Sequence, residues 1–121
     1  MNAVSWFEIP VNDMDRAKDF YEKSFDIKIE IHEMGPALMG WFPNNPEAPG
    51  AAGTLLKGDT YVPSHDGTLV YLGVEDIEAT LVKINANGGE TMQPKMSIGE
   101  YGFIGVFEDC EGNRVALHSL T

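Results

Sequence analysis

The sequence repeats itself, and that limits its fold more than any other feature. VNDMDRA begins at Val11 and VEDIEAT at Val74, so Val11 and Val74, Asp13 and Asp76, Met14 and Ile77, and Asp15 and Glu78 all stand 63 residues apart. Each copy is led in by a strand-like run, WFEIPV or LVYLGV, and continues into an amphipathic stretch. That order reads as strand, tight turn with a polar N-cap, and helix, twice over.

In the first predicted helix Met14, Ala17, Phe20, Tyr21 and Ser24 recur at spacings of three and four and form one inward stripe. Ile77, Thr80, Leu81 and Ile84 form the stripe of the second, which Gly88 and Gly89 terminate. Strand-like material follows each helix. In the first half Ile27, Ile29 and Ile31 alternate with polar residues, and ALMGWF and AAGTLLK come next, separated by the loop PNNPEAPG. In the second half come ETMQPKM, YGFIGVFED and RVALHSL, the last two joined through the turn CEGN. The expectation is one α+β domain over residues 1–121, built from two tandem βαβββ modules, about 1–60 and about 66–121. Their strands would form a curved mixed sheet with a concave cup, and the linker GDTYVPSHDG would join the halves.

Alternation along strands then assigns faces. With Phe7, Ile9 and Val11 on the first helix, Trp6, Glu8 and Pro10 point into the cup; with Val70, Leu72 and Val74 on the second, Leu69, Tyr71 and Gly73 do so. Val115 and Leu117 go to the helix side, leaving Arg114, Ala116 and His118 on the cup side. A partly enclosed concave face is where a small molecule is expected to bind.

Charge excludes other functions. Nineteen acidic against eight basic residues give −11, with no basic run, so the chain would repel nucleic acid. No stretch is long and apolar enough for a membrane span, and MNAVSWFEIPVND lacks the pattern of a signal peptide, so the expected location is the cytoplasm. One cysteine, Cys110, forbids an internal disulfide and reads as an exposed turn thiol with no neighbouring His or Lys to activate it. His65, beside Asp66 in the linker, and His32, on the side of its strand away from the isoleucines, read as exposed. GPALMG and NANGG lack the context of a phosphate loop.

FEIPVNDMDRAKDFYEKSF, the repeated VEDIEA and the closing FEDCEGNRVALHS together resemble the vicinal oxygen chelate superfamily over essentially the whole chain. That superfamily includes glyoxalase I, extradiol dioxygenases and bleomycin or fosfomycin resistance proteins, and the wording is most similar to predicted enzymes related to lactoylglutathione lyase. Metal-dependent members carry a His or Glu seven residues before the Asp that opens each helix, and a Glu three residues after the hairpin Asn. Here those places hold Trp6, Leu69 and Ala116, and AAGTLLK offers no acidic residue or histidine for a fourth ligand. The usual divalent-metal site is therefore expected to be absent, which leaves only an unconventional one open; no cofactor and no conventional glyoxalase I activity are expected.

Two readings follow. In the first, the chain is a metal-independent, lyase-related enzyme in which Glu8 and His118 approach one another as a general acid/base pair acting on a small carbonyl or enolisable molecule; the same two residues read otherwise as a structural hydrogen-bonded pair, or with one at the solvent rim of the cup. In the second, it is a non-catalytic protein that sequesters a small organic ligand, as resistance members do. Trp6, Tyr71, Leu69, Arg114 and Ala116 would line either site, and Trp41, Tyr101 and Phe103 add further aromatic surface. The resemblance also implies a homodimer that completes the cup.

Overall fold

The structure is a computed structural model and describes residues 2–121. The first module runs β1 (Phe7–Pro10), α1 (Met14–Phe25), β2 (Glu30–Met34), β3 (Ala37–Trp41) and β4 (Gly53–Lys57). The second runs β5 (Tyr71–Gly73), α2 (Ile77–Ala86), β6 (Glu90–Ser97), a single 3₁₀ turn at Gly99–Tyr101, β7 (Phe103–Glu108) and β8 (Arg114–Ser119). Strand order is β1-β4-β3-β2 in one sheet and β5-β8-β7-β6 in the other, the same order twice. In each module the first strand pairs in parallel with the last, and the remaining pairs are antiparallel. The strands therefore form two open sheets of four.

The two helices start alike. Asp13 accepts the Arg16 N–H and Asp76 accepts the Ala79 N–H, each at 3.0 Å, which satisfies one orphan donor of the first turn. All five residues of the first stripe are buried, as are Ile77, Leu81 and Ile84. α1 and α2 pack on one another as well as on their own sheets. One continuous core results, in which Phe20, Tyr21, Leu55, Ile77, Phe107 and Leu117 are almost fully removed from water. A Cβ on Gly40 would lie 3.0 Å from Ile29 and 3.1 Å from the Met14 sulfur, and one on Gly105 would lie 3.0 Å from Ile77. Small residues at these two equivalent places let the first turn of each helix approach its sheet.

The alternating isoleucines are only partly strand. β2 begins at Glu30, because the Ile29 N–H donates to the Glu22 carboxylate of α1 at 2.8 Å instead of to a neighbouring strand. Ile31 is 40% exposed on the resulting edge strand.

A turn of the second module ties it to the first. The Asp109 carboxylate accepts the Tyr21 hydroxyl at 2.7 Å, the Asn113 side-chain amide at 3.0 Å, and the N–H groups of Glu111 and Asn113. Asn113 also donates to the Pro10 carbonyl of β1 at 2.7 Å. Glu111 accepts the N–H groups of Asn12 and Asp13, each at 2.8 Å, and pairs with Arg16. The carboxylate of Glu111 thus sits at the positive end of α1, where a negative charge is favoured. Among the described residues no helix is long and apolar enough to cross a membrane.

Candidate functional site

The helix-free face of the first sheet carries an aromatic cluster. Trp6 precedes β1, Glu8 lies opposite Thr54 of β4, and Thr54 lies opposite Trp41 of β3. Trp6 and Trp41 meet edge to face with centroids 5.5 Å apart and planes at 71°, a favoured geometry for two aromatic quadrupoles. The His32 ring lies 4.8 Å from Trp41, and its Nε2 pairs with Glu30 at 2.9 Å. Both indoles remain 37% exposed. Beneath them Thr54 is completely buried, and its Oγ1 has no hydrogen-bond partner among the described residues.

On the second sheet Tyr71 is half exposed, and its register partner Ala116 is completely buried between Tyr71 and Val106. Ala116 therefore forms the floor beneath its neighbours and presents no surface of its own. Leu69 is half-buried just before β5.

Glu8 and His118 do not hydrogen-bond to each other. Glu8 accepts the Tyr61 hydroxyl at 3.2 Å, and that bond to a carboxylate pushes the phenol up from its ordinary range. His118, between Gly73 and Ile104 on the other sheet, bonds through Nε2 to the Tyr101 carbonyl at 2.7 Å. A carboxylate–imidazole pair does exist on β7, where His65 Nε2 lies 2.6 Å from Glu108.

Glu8 is instead brought together with Arg114. Both line a cleft of about 160 Å³ between β1, β8 and the linker, together with Ser64, Thr68 and Asn113. The linker is fixed there by the Arg114 N–H, which donates to the Ser64 carbonyl at 3.3 Å, and the Ser64 N–H, which donates to Asn113. Arg114 makes no ion pair among the described residues, and its Nε is buried without a partner. A guanidinium held this way keeps donors available for an acceptor on a bound molecule.

The metal positions of the superfamily hold groups that do not fit a divalent ion. Trp6, Leu69 and Ala116 carry no ligating atom suited to one, and Thr54 of β4 offers only a neutral hydroxyl.

Residues 3–117 match the model of the Glyoxalase/Bleomycin resistance protein/Dioxygenase superfamily. The chain belongs to that superfamily. It is 32% identical over 122 residues to a glyoxylase-like domain-containing protein of Didymella fabae, covering 94% of this chain and 91% of that one. A glyoxylase/bleomycin resistance protein/dioxygenase domain from Frankia sp. superposes with a TM-score of 0.75 at 15% identity, covering 100% and 99%. TnmS3, an antibiotic binding protein from Streptomyces sp., does so at 0.68 and 20%, covering 100% and 98%. At these identities the structural likeness establishes the fold alone. The chain spans only 45% of the length of glyoxalase I from Zea mays.

Within this glyoxalase-like fold three features escaped the sequence reading. Tyr61 comes from the linker, whose path carries no periodic signal. Trp41 is aromatic in the sequence, but only the pairing of β3 with β4 gives it a face. Cys110 is half-buried, not exposed: its thiol donates toward the Arg16 carbonyl and Glu111, and burial together with the adjacent Glu111 charge pushes it up to about 12. The turn CEGN is legible in the sequence, and the Asp109 and Asn113 contacts give its physical reason.

Proposed function

We propose that this chain binds a flat, largely apolar small molecule against Trp6 and Trp41, without a metal ion. The observation that carries this reading is the edge-to-face indole pair left more than one third exposed, while Phe20, Tyr21 and Phe107 of the same chain are buried. Exposed aromatic surface on a sheet face supplies binding area at low entropic cost. Arg114, free of any ion pair among the described residues, would hold an acceptor of the same ligand at the neighbouring cleft. TnmS3, an antibiotic binding protein, is a parallel on the same fold. Titration of tryptophan emission with a panel of planar aromatic compounds tests the reading: saturable quenching is expected, and Trp41→Ala should weaken binding roughly tenfold or more. No change in emission or melting temperature across the panel overturns it.

The second reading is metal-independent, lyase-related catalysis. It is favoured by Glu8, which stands on the same face with a phenol hydrogen-bonded to it, and by His118 on the other sheet. Glu8→Gln and His118→Ala should each abolish turnover of an enolisable substrate found by screening; unchanged turnover in both removes it. We also propose that two copies pair to close the face, since β1 and β5 are each the end strand of their sheet. Light scattering on the eluting protein should give twice the chain mass.

A further inference from the structure

The internal repeat exposes a place where the two modules differ. Before α1, the N–H groups of Asn12 and Asp13 both hold the Glu111 carboxylate, and Arg16 pairs with it from one turn inside the helix. Moving 63 residues along the sequence carries these positions to Glu75, Asp76 and Ala79. Among the described residues the N–H groups of Glu75 and Asp76 have no hydrogen-bond partner. The element that would have supplied one is the β3–β4 connection, residues 42–52, and it is longer than the 109–113 turn that carries Glu111. It leaves the start of α2 open.

A cavity of about 590 Å³ occupies that place, within the size range of sites for small organic ligands. Phe7, Phe25 and Phe42 form its apolar wall, with Phe7 and Phe42 5.5 Å apart. Glu75, Asp76 and Lys83 line it from the α2 side. Lys83 makes no ion pair among the described residues. Ser24 of α1 lines it too; the residue is 1% exposed and its Oγ has no hydrogen-bond partner among the described residues. A buried hydroxyl left unpaired is costly, and the expected remedy is a polar atom brought in by what fills the cavity.

We propose that this cavity is a second ligand site, separate from the Trp6–Trp41 face, and that it takes a small carboxylic acid with an aromatic or branched aliphatic body. Its carboxylate lies on the N–H groups of Glu75 and Asp76 and within reach of the Lys83 ammonium, as the Glu111 carboxylate lies on Asn12, Asp13 and Arg16. Its apolar body lies on the three phenyl rings, and an oxygen meets the Ser24 hydroxyl. Acidic neighbours do not forbid this. Asp76 is turned to its own helix as the cap, as Asp13 is beside Glu111, and Glu75 and Asp26 are exposed and screened by water.

Phenylacetate titrated into the isotopically labelled full chain, followed by amide NMR, tests the proposal. The Glu75 and Asp76 amide signals should shift along one saturable curve, and neutral 2-phenylethanol should bind at least about tenfold more weakly, as the loss of a charge-assisted contact implies. Lys83→Glu should weaken phenylacetate by a similar factor. Ala79→Trp, a change at an exposed helix position that fills the cavity, should abolish the shifts; Trp41→Ala should leave them unchanged, so the two sites fail or stand independently. The proposal is overturned if the two amides do not respond, if Ala79→Trp leaves the response intact, or if they move only on dilution, which would make a second copy of the chain the occupant.

Discussion

The Tyr21 hydroxyl donates to the Asp109 carboxylate at 2.7 Å across the two modules, with both side chains buried. Burial, then the Asp109 charge, pushes the Tyr21 phenol well above its ordinary range, so it remains a donor throughout the working pH range. Tyr21→Phe leaves Asp109 one donor short in a dry site and should cost about 1–3 kcal/mol. Asp109→Ala strands Tyr21, Asn113 and two N–H groups together and should cost more. Urea denaturation of the three proteins checks the order; equal midpoints would contradict it.

Glu111 should make stability fall in acid. Burial raises its carboxyl, but the Arg16 guanidinium and the Asp13 and Asn12 N–H groups outweigh burial and leave it below the usual 4.5. A carboxyl lowered by folding contributes stability that is present above its unfolded value and lost as pH falls through the folded one. The melting temperature should therefore drop below about pH 4.5, and Glu111→Gln should start lower at pH 7 and lose less in acid. A variant with the wild-type acid profile would show that Glu111 is not the group.

Cys110 should be a slow thiol. With its pKa pushed up to about 12, its thiolate at pH 8 is scarcer than that of an ordinary cysteine by roughly a hundredfold or more. Iodoacetamide should label the native chain at least that much more slowly than the urea-unfolded chain. Comparable rates would place the thiol in solvent.

Gly53 sets the position of β1 and, through it, of Trp6 and Glu8. A Cβ there would fall 2.4 Å from both the ring and the carbonyl oxygen of Phe7, and a carbonyl in a strand ladder cannot give way cheaply. Gly53→Ala should destabilise by about 1–3 kcal/mol and blunt the tryptophan response to ligand. Unchanged stability and response would contradict this packing.

Glu8 and His118 should act independently. Each has its own partner, Tyr61 and the Tyr101 carbonyl, so the stability effects of Glu8→Gln and His118→Ala should add within about 0.5 kcal/mol in a double-mutant cycle. A larger coupling would bring the two into contact.

The amino-acid sequence alone determined the two modules, the helix caps at Asp13 and Asp76, the buried stripe of α1 and the face on which Trp6, Glu8, Tyr71 and His118 stand. Repetition and periodicity are local properties, and hydrophobic burial enforces them with little regard to the rest of the chain. Which of those residues meet was decided only by the tertiary structure. It separated Glu8 from His118, set Trp41 against Trp6, brought Tyr61 and His65 in from the linker and left an open cavity at the start of α2. Each of these depends on how two sheets, two helices and two loops of unequal length are arranged around a shared core. Alternation along a strand says which way a side chain points, but not what stands opposite it.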